Sequence, residues 1–93
     1  MTEVIWAEEA ERMYFKIVDY LLIEWNLSIA IAFENSVNKL ITRLQSFKEL
    51  CPLSKVLFCY KCKIDKHNSL VYKIINNKIF IVTLLDNRSN HNY

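Results

Sequence analysis

The stretch SLVYKIINNKIFIVTLL, residues 69–85, decides the fold. At its centre Asn76-Asn77 is a two-residue turn, because asparagine tolerates the positive φ that tight hairpins require. Before it, Ser69 to Ile75 reads as a strand. After it, Ile79 to Leu85 is a continuous apolar run of strand length, which predicts the best-buried strand of a sheet. Upstream, Val56, Phe58, Tyr60, Cys62 and Ile64 alternate with Leu57, Cys59, Lys61, Lys63 and Asp65. That period of two predicts another strand, with one face ending in lysines. Lys66-His67-Asn68 forms the loop between these segments, so the three strands make an antiparallel meander.

Towards the N-terminus the period changes. Ala10, Met13, Tyr14, Ile17, Val18, Leu21, Leu22 and Trp25 recur at helical spacing, and Glu8, Glu9 and Glu11 suit the positive end of a helix dipole. Asn26-Leu27-Ser28 breaks the helix, with Ser28 as the expected N-cap of the next. The second stripe is Ile29, Phe33, Val37, Leu40, Ile41, Leu44 and Phe47, closing near Lys48 before Pro52. Two helices of roughly 18 to 20 residues joined by so short a break pack antiparallel. Glu3 to Trp6 is a short first strand. The expected order is β-α-α-β-β-β in one α+β domain over residues 1–93, with a flexible polar tail from Asp86 to Tyr93. Tyr72, Trp6 and Trp25 are expected in the core or in hairpin packing.

Ninety-three residues suffice for one domain and not two. A hydrophobic share of 53% and an aromatic share of 13% argue for a packed core. No apolar run reaches the roughly 18 residues of a membrane span. The N-terminal residues lack the basic-then-apolar pattern of a signal peptide, so the expected compartment is the cytoplasm. The net charge of +2 is unevenly spread. Up to Phe47 four basic side chains face seven acidic ones; from Lys48 onward eight face three. A basic C-terminal half can attract a polyanion or an acidic protein, or it can serve as a solvated edge that discourages aggregation.

The chain contains no glycine, which excludes every Gly-rich phosphate loop. Cys59 and Cys62 form a C-x-x-C, but a zinc site needs a second pair, and only the scattered Cys51, His67 and His91 remain. In a strand, positions three apart point to opposite faces. That argues against a metal or redox pair, and in a cytoplasmic chain all three cysteines are expected as free thiols, with neither metal nor cofactor.

Val4-Ile5-Trp6-Ala7-Glu8-Glu9-Ala10 resembles the opening strand and helix start of the RelE/ParE toxin superfamily. Ile17-Val18-Asp19-Tyr20-Leu21 with Trp25 resembles the end of helix one in ParE-like members. Ala32-Phe33 followed by Val37, Ile41, Leu44 and Cys51-Pro52 resembles their second helix and its exit. Tyr72-Lys73-Ile74 resembles the family's Y-x-I strand, and Leu85-Asp86-Asn87-Arg88 the end of its last strand. The resemblance covers essentially the whole chain. It implies the toxin of a type II toxin–antitoxin system, active in growth inhibition and plasmid stabilisation. The implied partner is a cognate antitoxin, in a heterotetramer or beside a toxin homodimer.

Two targets follow from the resemblance. ParE-like members inhibit DNA gyrase by binding, and the long helices favour this subgroup. RelE-like members cleave ribosome-bound mRNA, which needs a base, an acid and cations for the phosphorane. For that chemistry the candidates are Arg88, His91 and Tyr93 as catalytic groups, with Lys61, Lys63, Lys66, His67 and Lys73 binding RNA or a partner. Arg88 offers a bidentate phosphate contact, His91 or His67 proton transfer near neutrality, and Tyr93 a stacking ring. Each also has a structural reading. Lys61 and Lys63 suit the solvated face of a half-buried strand, Lys66 and His67 a polar loop, Arg88 a partner for Asp86 or a helix carboxylate, and His91 and Tyr93 a disordered chain end. A third class is an inactive toxin-fold module that binds an antitoxin alone.

Overall fold

A computed structural model of the chain describes residues 1–87. Its elements are β1 (Val4–Trp6), α1 (Glu8–Glu24), α2 (Leu27–Ser46), β2 (Leu53–Ser54), β3 (Cys59–Lys63), β4 (Asn68–Ile75) and β5 (Lys78–Asp86). Among the described residues the sheet has the order β1-β5-β4-β3-β2. β1 runs parallel to β5, and all other pairings are antiparallel. The expected helical hairpin and meander are both present.

The Asn76-Asn77 turn takes φ values of 53° and 61°, the left-handed pair of a type I′ hairpin. β5 is an interior strand, paired with β4 on one side and β1 on the other. Its two ends extend one residue beyond the expected run, to Lys78 and Asp86. A bulge interrupts the β4–β5 register, so that Tyr72 pairs with Ile81 but Val71 with Thr83, leaving Val82 over. The extra residue shifts the alternation. Ile79, Ile81 and Leu84 therefore all enter the main core, while Val82 and Leu85 join a smaller cluster with Cys59 and Val71.

The helices cover the main-core side. α1 starts without a side-chain cap, and its three first-turn glutamates oppose the dipole instead. α2 is capped by Asn26, whose Oδ1 accepts from the Ile29 N–H at 3.0 Å. The cap thus falls two residues before Ser28, because the break between the helices is shorter than the sequence suggests. Ala30, Phe33, Val37, Leu40 and Leu44 of α2 are buried. The stripe is shorter than its sequence period, however. Trp25 is 64% exposed and Phe47 68% exposed, so neither belongs to the core. The periodicity continues past the points where the sheet ends beneath it. Trp6 packs edge-on against Tyr14 at 5.5 Å.

Two expectations around β3 are corrected. The strand does not begin at Val56; it begins at Cys59, and the two-residue β2 pairs outside it. Ser54 redirects the chain, its carbonyl accepting from Phe58 N–H at 2.8 Å and its hydroxyl from Leu57 N–H at 3.3 Å. Phe58 takes φ 54° in the resulting turn. Cys51 and Cys62, expected as free thiols, form a disulfide with Cα atoms 5.3 Å apart. The connection leaving α2 returns across the helix-facing side of β3, where Cys62 points. Cys59 lies in the cluster on the other face and keeps its thiol, so the C-x-x-C is not a pair.

Tyr72 is fully buried, stacks on Tyr60 at 4.9 Å, and donates its hydroxyl hydrogen bond to the Lys48 carbonyl at 2.6 Å. Burial pushes its phenol up to about 12, against a backbone hydrogen bond at Cys51. Folding favours the neutral phenol, whose ordinary value is 10.0. The contribution is therefore complete below that value and lost as pH rises through about 12. Tyr72→Phe is expected to lower stability at pH 7 by about 1–2 kcal/mol, because the Lys48 carbonyl loses its partner. Urea melts of both proteins check this, and their difference should shrink above pH 11 to 12.

Candidate functional site

The distal half of the hairpin overhangs the end of the sheet. Between them opens a groove of about 970 Å3. Met13, Ile17, Leu21 and Trp25 of α1 and its C-cap line one wall, Ile29, Ala32 and Phe33 of α2 continue it, and Leu84 and Leu85 close the sheet side. The amphipathic stripes explain this lining. They are wide enough to continue beyond the sheet, so Trp25, Ile29 and Ala32 stand exposed along the groove.

Charges mark the rim. Glu9 pairs with Arg12, and its Oε2 accepts from the Thr83 hydroxyl at 3.2 Å, tying α1 to β5. The hydrogen bond from Arg12 holds the Glu9 carboxyl below its ordinary value, with Thr83 and Lys16 acting in the same direction against desolvation. Across the groove is the loop from Ile64 to His67. Asp65 Oδ1 accepts from the N–H groups of His67 and Asn68, both at 2.8 Å, which builds an Asx turn. Asn87 fastens this loop to the sheet end. Its N–H donates to the His67 carbonyl at 2.7 Å, its side-chain amide to the Asp65 and Lys66 carbonyls, and its Oδ1 accepts from Ser69. Asp86 closes β5 beside it.

The sequence-predicted residues fall into separate places. Lys61, Lys63 and Lys73 share the sheet face turned away from the helices: Lys61 pairs with Val71 and Lys63 with Ser69, and Lys73 lies two residues beyond Val71. None of the three has an ion-pair partner among the described residues. Lys66 and His67 are exposed in the fastened loop and line the mouth of the groove. Arg88, His91 and Tyr93 lie outside the described residues. Among the described residues no three His, Cys, Asp or Glu side chains stand close enough to hold a metal.

Sequence reading missed the groove wall at Ala32 and the Asn87 clamp. The signal for the first was an apolar stripe longer than the strands it must cover. For Asn87 no sequence signal exists, since its four hydrogen-bond partners are brought to it by the fold.

A family model described as ParE toxin of type II toxin–antitoxin system, parDE, matches residues 4–91. No curated protein matches the chain significantly. Among solved structures, the chromosomal ParDE toxin–antitoxin system of P. aeruginosa is 15% identical, with 92% of this chain and 96% of that one aligned at a TM-score of 0.77. A copper-bound mutant toxin from Helicobacter pylori is 17% identical over 94% and 96%, at 0.64. The YoeB-YefM complex from Staphylococcus aureus is 17% identical over 100% and 99%, at 0.59. At these identities the structures establish the shared fold.

Proposed function

Because the chain belongs to the ParE toxin family of type II toxin–antitoxin systems, we propose that it arrests growth by binding DNA gyrase rather than by cutting RNA. One observation carries this reading: the tip of the helical hairpin presents exposed apolar side chains suited to binding another protein. Lys61, Lys63 and Lys73 lie on the outer sheet face, whereas Lys66 and His67 stand at the groove mouth on the helix side. Binding needs only a presented surface, and the hairpin offers Ile23, Trp25 and Leu27 in the open.

The antitoxin is the second partner. An amphipathic helix with apolar side chains at i, i+3, i+4 and i+7 fits the groove, and acidic residues on its flank meet Lys16 and Lys66. Two toxins and two antitoxins form the assembly, like the heterotetrameric YoeB-YefM complex of Staphylococcus aureus. The work is done in the cytoplasm, where gyrase acts. No helix among the described residues is long and apolar enough to cross a membrane.

Induction without antitoxin is expected to stop growth, and purified protein to block supercoiling by gyrase while leaving translation intact. Cleavage of ribosome-bound mRNA, abolished by Arg88→Ala, would overturn the gyrase reading in favour of the RelE-like one. Unaffected growth would reduce the chain to a binding module.

A further inference from the structure

The disulfide sits where regular structure is thinnest. Cys62 is 2% exposed in β3, inside the main core. Cys51 is half-buried in the connection between α2 and β2, outside any helix or strand. Together they close the segment that carries β2 and the turn at Val56 to Phe58. That segment contributes little burial: Val56 is 84% exposed and Phe58 72% exposed. Few other bonds hold it. β2 pairs with β3 at only two positions, and Lys61 N–H donates to the Pro52 carbonyl at 3.1 Å.

The core, in contrast, does not need the bond. β3, β4 and β5 are joined by their own ladders, and Leu70 and Tyr72 lie fully buried in the same cluster as Cys62. A reduced Cys62 there acts as a small hydrophobic side chain. Tyr72 still holds the Lys48 end of the connection through its hydroxyl.

We propose that Cys51–Cys62 is a redox latch: oxidised, it pins the Pro52–Phe58 segment to β3; reduced, it releases that segment while the domain stays folded. The reductant is a small thiol or a thioredoxin-type dithiol. Its thiolate attacks the sulfur of Cys51, the less buried of the two residues, the S–S bond breaks, and Cys62 leaves as a thiolate that takes up a proton. A second thiolate then attacks the reductant's sulfur in the mixed disulfide, releasing Cys51 as a thiol. Two electrons pass to the disulfide, and the reductant ends as its own disulfide. Re-oxidation by a small-molecule disulfide reverses both steps. Reduction thus frees Leu53, Val56, Leu57 and Phe58, which are exposed already, from their fixed place beside β3, so the redox state of the cell sets whether this corner of the toxin is held or loose.

The test uses the full chain equilibrated with oxidised glutathione or with dithiothreitol. Alkylation in denaturant should count one thiol in the oxidised protein, Cys59, and three in the reduced one. Trypsin should cut after Lys55 at least about tenfold faster when the chain is reduced, and the reduced Tm should fall by about 10 °C or more, the effect of opening a short closed loop. Cys51→Ser should match the reduced protein in both buffers, and Cys59→Ser should respond as the wild type does. Three alkylated thiols under oxidising conditions overturn the proposal, as do equal cleavage rates in the two states. Loss of far-UV circular dichroism on reduction also overturns it, because the bond would then be holding up the whole domain.

Discussion

The Ala32→Trp substitution is expected to weaken capture of the toxin by its antitoxin about 100-fold, the scale of a central interface anchor. Ala32 is exposed on α2 and lines the groove wall. An indole there fills the space that an incoming helix needs. The fold should be indifferent, because the side chain points away from the core and tryptophan costs an exposed helical position only a few tenths of a kcal/mol. Calorimetric titration with the antitoxin's C-terminal peptide gives the number. Asn38→Trp, on an exposed part of α2 that does not line the groove, is the control and should leave affinity within about twofold. If Ala32→Trp binds as well as wild type, the antitoxin helix does not lie in this groove.

The second large effect concerns stability. Leu44→Ala should lower the free energy of unfolding by about 3–4 kcal/mol. Leu44 is 0% exposed at the end of α2 where helix, sheet and the α2–β2 connection meet, so the cavity has little room to collapse. In a domain of this size the Tm should fall by roughly 12 °C or more. Thr42→Ala, exposed on the same helix, should stay within about 0.5 kcal/mol. Denaturant melts of the two variants separate a core position from a surface one. A Leu44→Ala cost below about 1 kcal/mol would contradict its placement.

Much of the fold was legible because periodicity reports burial. The Asn76-Asn77 turn, the meander around it and the two helical stripes are present as expected. The departures share one physical cause, which is that local pattern carries no information about reach. Trp25 and Phe47 continue their stripes in register but stand beyond the sheet that would bury them. Val56 to Phe58 alternate as a strand would, yet Ser54 offers two closer hydrogen-bond acceptors and turns the chain. The cysteine expectation weighed spacing and compartment, whereas the Cys51–Cys62 bond depends on which face of β3 the returning connection crosses. Within the candidate site, the strand alternation put Lys61 and Lys63 on one face, and the fold adds Lys73 to it. The alternation could not tell that Lys66 and His67 belong to another.

The parallel pairing of β1 with β5 joins Val4 to Ile79, contacts about 75 residues apart in a chain of 93. During synthesis at roughly 5–20 residues per second, the hairpin is complete several seconds before β5 exists. Until β5 emerges, the buried face of α2, from Phe33 to Leu44, has at most the strands β3 and β4 to cover it. The nascent chain therefore passes through an interval in which its stickiest surface is its oldest. The toxin can become functional only after its last strand has been made, and the groove takes shape at that same moment, because Leu84 and Leu85 of β5 form one of its sides.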